Sequence, residues 1–350
     1  MDSNILVSVV IPTLNAEKFI RECLEATINQ TYSNIEIIIV DNGSEDKTVE
    51  ICKEYAERDK RINLFHADKR GVSSARNCGI DNSKGELIVF FDADDIPEKD
   101  IIESYLIAAG EWYDRDISFI ACGIFYDNRV NKNVVDKAYL LESYRGFIEG
   151  ENYILNRNYA ATLAWLKIFN FVTNKLYNAI LIRANNIRFD QDVSIGEDLK
   201  FNLDYLNAIP GYIGMVNRPL YHYVRRSGDS LSITYHEGDI EDTKEIYRSF
   251  LDWEEKQEDV SDDNLLVIKS IFLTDWISRL SSMHDKYENT KEYREFRSVM
   301  NSEVGSREFQ TLLKEVFKAS KISWIRYVSL RTGNFSVFCF FRKIYQYAKG

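Results

Sequence analysis

Three carboxylates stand close together in the sequence, where Asp92, Asp94 and Asp95 follow directly on the apolar run Leu87-Ile-Val-Phe-Phe91. Crowded carboxylates repel one another, and a hard divalent cation relieves that cost by taking oxygen ligands. Such an ion keeps positions open for phosphate oxygens and neutralises charge that builds on a leaving group. The plainer alternative is that Asp95 caps a helix starting at Pro97, because proline and acidic residues both suit a helix N-terminus. A second acidic position, Asp41, closes the run Ile35-Glu-Ile-Ile-Ile-Val40 and leads into Asn42-Gly43-Ser44. A third, Glu197-Asp198, follows Ser194-Ile-Gly196 and opens a segment with Leu199, Asn202, Leu203 and Leu206 at helical spacing. A helix N-terminus favours and orients a carboxylate, as a cap or as a reacting group. No two of the four histidines, His66, His222, His236 and His284, have metal-ligand spacing, so none marks a site by itself.

The elements that carry these groups alternate. The β-branched run at 7–11 suits a buried strand, and Phe19, Ile20, Cys23, Leu24 and Ile28 recur at helical spacing. Strands are expected at 35–40, 62–65 and 87–91, with helices around 49–56 and 72–80, the first capped by Ser44 or Asp46. This βαβ rhythm builds a Rossmann-like, mostly parallel sheet flanked by helices, an α/β class. Ligands of such sheets bind at the carboxyl ends of the strands, which is where Pro12-Thr13-Leu14-Asn15, Asp41 and the acidic cluster fall. The first turn has no glycine-rich dinucleotide fingerprint and the chain has no GxxxxGK run, so phosphates must be held another way. Further on, a strand is expected at 117–123, a helix at 198–206, and two strands at 212–216 and 220–224.

From residue 239 the pattern turns helical, with one stripe through Leu265, Ile268, Phe272, Trp276, Leu280 and Met283, and another through Phe309, Leu312, Leu313, Val316 and Phe317. The expected organisation is a catalytic domain over 1–236 and a smaller helical C-terminal domain over 237–350. The acidic stretch 237–263 reads as solvated helix surface and linker. A formal net charge of −11 excludes a general nucleic-acid-binding role. The five cysteines are odd in number and lack CxxC spacing, which points away from a disulfide framework or zinc site and towards a reducing cytoplasm. No apolar run is long enough to cross a bilayer.

Four stretches, Val7-Ser-Val-Val-Ile-Pro-Thr-Leu-Asn15, Ile39-Val-Asp-Asn-Gly-Ser44, Gly71-Val-Ser-Ser-Ala-Arg-Asn-Cys-Gly79 and Phe90-Phe-Asp-Ala-Asp-Asp95, resemble the family 2 glycosyltransferases of the GT-A fold. Asn174-Lys-Leu-Tyr177, Gly196-Glu-Asp198 and Tyr221-His-Tyr223 with Arg225 and Ser230 resemble the later motifs of that family, in order, over roughly the first two-thirds of the chain. The resemblance implies an inverting transfer of a sugar from a nucleoside-diphosphate sugar, a UDP-sugar above all, to an acceptor hydroxyl. It implies that Pro12 and Thr13 border the base, with Asn15 also on the nucleotide side, and that Asp41 accepts from uracil N3–H. Arg76 is then expected near the nucleotide, Asp94 as principal ligand of Mn²⁺ or Mg²⁺, Asp92 on the ribose or the metal, and His222 as a further metal ligand. Arg225 and Ser230 are expected on a loop closing over the diphosphate, and Asp198 as the base that takes the acceptor proton. Leu14 departs from the pattern, since many relatives carry there an aromatic residue that stacks on the base.

Two competing readings are a phosphatase-like hydrolase, which also places DxD after a strand, and a non-catalytic nucleotide-sugar-binding partner of another transferase. The first leaves Asp41 and Glu197-Asp198 without roles, and the second has no need of Asp198. The expected acceptor is a glycan or lipid-linked glycan of a surface polysaccharide or glycolipid. From 316 to 350 the chain has seven basic residues and no acidic one, interleaved with aromatics, and Val337, Phe338, Phe341, Ile344 and Tyr345 share one helical face. A basic, aromatic, amphipathic segment suits an anionic membrane surface, so peripheral attachment to the inner face of the cell membrane is expected.

Overall fold

The computed structural model describes residues 5–129, 137–141, 146–226 and 234–347. The chain divides into two compact units, Met1–Gly228 and Asp229–Gly350, with the expected boundary at 236/237 lying just beyond that division.

The first unit runs β1 (Val7–Thr13), α1 (Ile20–Ile28), β2 (Ile35–Asp41), α2 (Thr48–Arg58), β3 (Ile62–His66), α3 (Val72–Asn82), β4 (Leu87–Phe90), β5 (Ile96–Pro97) and α4 (Ile101–Glu111). It continues with β6 (Ile117–Asn128), β7 (Lys137–Tyr139), β8 (Asn152–Leu155), α5 (Ala160–Trp165), β9 (Lys175–Asn178), α6 (Ala179–Ala184), α7 (Glu197–Ala208) and β10 (Tyr212–Arg225). The strands form one sheet in the order β3-β2-β1-β4-β9-β6-β10-β5, with β7 on β6 and β8 on β10. Strands β3, β2, β1 and β4 are parallel, as the alternation of elements requires. Strand β9 then inserts antiparallel between β4 and β6, while β6 and β10 run parallel. The sheet is therefore mixed, and its parallel half carries the acidic strand ends.

Every residue of β1 and β2 is buried, because helices cover both faces. On one face Val7, Val9, Ile11, Ile35, Ile37 and Ile39 pack with Ile20, Cys23 and Leu24 of α1, Ile51 and Cys52 of α2, and Ile101, Ile102 and Tyr105 of α4. On the other, Phe90 meets Tyr177, Phe189 and Phe201 edge-on, with ring centroids 5.3 to 6.0 Å apart.

Two expectations are corrected. Strands expected at 212–216 and 220–224 are one strand, β10, whose pairing with β6 shifts register between Val216 and Pro219 and again before Tyr221. Proline lacks the ladder N–H, so the strand bulges there and does not end. Asp95 does not cap a helix at Pro97: β5 lies there and α4 starts at Ile101.

The second unit holds α8 (Asp239–Glu255), α9 (Asp262–Tyr287), α10 (Tyr293–Gly305), α11 (Arg307–Lys318), α12 (Trp324–Arg331) and α13 (Phe335–Tyr347). Its core is an aromatic stack in which Tyr247, Phe272 and Trp276 follow one another at 5.4 and 5.2 Å and Phe309 meets Trp276 edge-on. Among the described residues no helix is long and apolar enough to cross a membrane.

Helix α3 lies so close to β1 that a Cβ on Gly79 would stand 2.3 Å from Val10 Cγ1. Gly79→Ala is expected to destabilise the first unit by about 1–3 kcal/mol, read as an earlier unfolding transition in denaturant. An unchanged transition would show that this contact relaxes freely.

Candidate active site

The carboxyl ends of β1, β2 and β4 lie side by side, since Thr13 pairs with Asp41 and Val10 with Phe90. Pro12 and Thr13 are buried, and the Thr13 hydroxyl points to the Val40 carbonyl at 3.5 Å. Asn15 is left-handed (φ 49°). Its N–H donates to Ser44 Oγ at 3.0 Å and its Oδ1 accepts from Glu45 N–H at 2.8 Å, so it ties the turn after β1 to the turn after β2. Leu14 beside it is exposed. Asp41 is buried and accepts from the N–H groups of Gly43 (3.0 Å) and Ser44 (3.3 Å), with His66 Nδ1 3.4 Å away.

The acidic turn after β4 is braced from β10. Asp92 N–H donates to the Tyr221 hydroxyl at 3.0 Å, and Asp95 Oδ1 accepts from Val224 N–H at 2.7 Å. Asp95 is buried, and its Oδ2 has no hydrogen-bond partner among the described residues. Burial, reinforced by Asp94 and Asp92, holds its carboxyl well above the usual range. The Asp94 carboxyl reaches solvent, yet partial desolvation and then the charge of Asp92 push it up to about 6. Arg226 donates to the Asp94 carbonyl at 3.1 and 3.2 Å and to Glu22 at 3.0 Å, with its guanidinium over the Phe19 ring. The neighbouring Arg225 has a buried Nε with no hydrogen-bond partner among the described residues, and Ser230 lies outside them.

Arg76, on α3, draws the distant acidic motifs together. Its guanidinium donates to Asp92 Oδ1 at 3.0 Å, Glu197 Oε1 at 3.1 Å and Asp198 Oδ1 at 2.7 Å, and lies over the Phe189 ring. Burial works against its charge, but Asp198, Asp92 and Glu197 outweigh burial and hold its pKa above the ordinary value. Asp198 stands in the first turn of α7, after the left-handed Gly196 (φ 83°). Its Oδ2 accepts from Val172 N–H at 3.1 Å. Burial pushes the Asp198 carboxyl up to about 7, against the pull of Arg76 and with help from Glu197 and Asp92. The loop that supplies Val172 is fastened from below by the buried Lys175, whose ammonium donates to the carbonyls of Ile168 and Phe171 and to Asn174 Oδ1. Asn202 of α7 donates to the Phe169 and Phe171 carbonyls at 2.7 and 3.1 Å.

His222 sits on β10 with Nε2 2.8 Å from Glu98 Oε1 and its ring stacked on Phe125 at 4.5 Å. Among the described residues its ligand atoms do not gather within 4.8 Å of those of Asp92 and Asp94; the trio that does so is His284, Asp285 and Glu288 in the second unit. Asp92 and Asp94 themselves fit a hard divalent cation: they are oxygen donors one residue apart whose mutual repulsion raises Asp94. Sequence reading missed Arg226, Tyr221, Lys175 and Asn202 as parts of this site. The Asn174-Lys175 motif was the available signal for the buried lysine and the Tyr221-His222 motif for the tyrosine, though neither was given a role; Arg226 follows a motif residue and carries no spacing signal.

Comparison with known proteins gives the family and the fold. The model of the family described as glycosyl transferase family 2 matches residues 8–182. Glycosyltransferase GlyG of Streptococcus pneumoniae is 31% identical over 260 residues, covering 70% of this chain and 78% of that one. The uncharacterised glycosyltransferase EpsJ of Bacillus subtilis is 31% identical over 231 residues, 66% of this chain and 64% of that one. The chain spans less than two thirds of the length of three such curated relatives, from 32% to 64%. Residues 1–349 of TarS of S. aureus, solved in complex with UDP-GlcNAc, superpose with a TM-score of 0.64 at 20% identity, covering 98% of this chain and 92% of that one. The fold is GT-A, and the chain belongs to glycosyl transferase family 2.

Removing the guanidinium leaves three carboxylates facing one another in a buried setting. Arg76→Ala is expected to cost about 3–5 kcal/mol of stability, measured by denaturant unfolding. Arg76→Lys, which keeps one charge but cannot bridge, should fall between the two. A mutant as stable as the parent would show that the three carboxylates do not depend on the bridge.

Proposed function

We propose that this protein is an inverting glycosyltransferase, moving a sugar from a UDP-sugar to an acceptor hydroxyl of a glycan or lipid-linked glycan. The observation that carries the reading is the Asp92–Arg76–Asp198 bridge. It sets a near-neutral buried carboxyl beside an acidic turn at the ligand-binding end of a GT-A sheet. In a single displacement the acceptor oxygen bonds to the anomeric carbon as the bond from that carbon to the diphosphate oxygen breaks. The acceptor proton goes to Asp198. A carboxylate has about four acceptor sites, and Arg76 and Val172 N–H occupy two at Asp198, leaving room for that proton. The family and the crystallisation of a fold neighbour with UDP-GlcNAc support the UDP-sugar, and the buried Asp41 at the β2 end is the proposed acceptor of a base N–H.

Asp94 and Asp92 are the residues proposed to hold Mn²⁺ or Mg²⁺, which when bound would neutralise charge on the departing diphosphate. His222 joins them only after leaving Glu98. Around them Arg76 holds Asp92 in place, and Arg225 at the end of β10 is proposed to meet phosphate oxygens.

The test is release of UDP from a panel of UDP-sugars, with and without Mn²⁺ and with chelator. Asp94→Asn should abolish the stimulation by metal; stimulation retained within about tenfold (~1.4 kcal/mol) would sink the assignment. Asp198→Asn should lower kcat by about 10²–10⁴-fold with little change in donor KM, whereas equal loss of donor binding would make Asp198 a scaffold and not the base. Because the base acts deprotonated and its carboxyl is pushed up to about 7, kcat should rise with pH to about 7 and level off above it. Below that value it should fall roughly tenfold per pH unit. A flat profile from pH 5 to 8 would contradict the role.

A further inference from the structure

The last two helices of the second unit present apolar side chains on the side that does not pack. On α12, Ser329 and Leu330 are buried, while Trp324, Ile325 and Val328 are exposed, Trp324 by 66%. On α13, Phe335, Phe338 and Cys339 are buried, and Phe340, Phe341 and Ile344 are 61%, 41% and 49% exposed. Each exposed set has i, i+1, i+4 spacing, which a helix gathers on one face. The single apolar face expected from Val337 to Tyr345 is thus split: Phe338 packs inward, and Phe341 and Ile344 face out.

The charges run the opposite way. Arg342 grips both carboxylate oxygens of Asp285 at 2.6 Å, and Lys343 pairs with Glu288, fastening α13 to α9. Those two cations are spent on internal pairing. Lys318, Lys321, Arg326 and Arg331 are exposed before, within and at the end of α12, with Arg331 donating to Gln310 Oε1, in a span of sequence with no acidic residue although the chain as a whole is acidic.

We propose that α12 and α13 form a docking face for an anionic lipid surface, with the outward aromatics entering the interfacial layer and the α12 cations meeting the headgroups. A bilayer with anionic lipids offers both things this face lacks, an apolar layer and negative charge. Tryptophan beside cations suits the boundary between the two. A second copy of the face would instead bring like charges together. This inference stands apart from the reaction at the first unit and does not rest on it.

Full-length protein is sedimented with vesicles of phosphatidylcholine alone and of phosphatidylcholine with phosphatidylglycerol, at several salt concentrations. Partition should be at least about tenfold stronger on the anionic vesicles and should weaken with salt. Trp324→Glu combined with Phe340→Glu should abolish it. Replacing Lys318, Lys321 and Arg326 with Gln should weaken it by roughly fivefold per charge. Circular dichroism and the melting transition should stay unchanged in both variants. Equal sedimentation with both vesicles, or none with either, would overturn the proposal. A dimer in light scattering that Phe340→Glu splits would also overturn it, by assigning the face to a second copy.

Discussion

The guanidinium of Arg76, with 3% of its side chain exposed, lies between carboxylates from two distant parts of the chain. Taking a cation out of water costs several kcal/mol unless it is fully partnered. Asp92, Glu197 and Asp198 partner its two terminal nitrogens, while its buried Nε has no hydrogen-bond partner among the described residues, and the three carboxylates lock the turn after β4 to the first turn of α7. Three carboxylates against one guanidinium leave surplus negative charge in the cluster. Burial, helped by that surplus, pushes the Asp198 carboxyl up to about 7 against the pull of the ion pair.

Apolar packing makes that electrostatic arrangement possible. The loop before α7 has little regular structure, yet Phe189 stacks on Phe201 at 4.0 Å and both rings pack against Phe90 of β4. Asn77 clamps the Phe189 backbone from α3 through both its amide groups, at 2.8 and 2.9 Å. Helix α7 is thereby held against the sheet, with Asp198 Oδ1 2.7 Å from the Arg76 guanidinium. On the far side, Tyr221, Val224 and Arg226 of and just after β10 hold the acidic turn by its backbone and by Asp95. The turn's free carboxyl, that of Asp94, is left to solvent.

The second unit uses charge differently. Its basic residues on α13 are consumed by Asp285 and Glu288, while its aromatics are divided between a packed face and an outward one. Ion pairing at a helix surface adds little stability, so burial of Phe335 and Phe338 must do most of the fastening.

Local pattern was enough to determine the parallel half of the sheet, the helices between its strands and the acidic strand ends, because burial on both faces writes itself as continuous β-branched runs. Asp41, Asp92, Asp94 and Asp198 were legible for the same reason, since each stands at a strand end or helix start that periodicity locates, whereas Arg76, inside α3, was singled out only by the resemblance to the family. Sequence could not say that Arg76 faces Asp198, a pairing 122 residues apart in the chain, nor that Asp95 turns inward to β10 while Asp94 turns out. It could not decide that Arg342 and Lys343 are internally paired, or which aromatics of α13 pack. Those outcomes depend on which side chains share a desolvated space. Only the tertiary structure settles that, because the balance between burial and pairing is struck among residues that local periodicity never brings together.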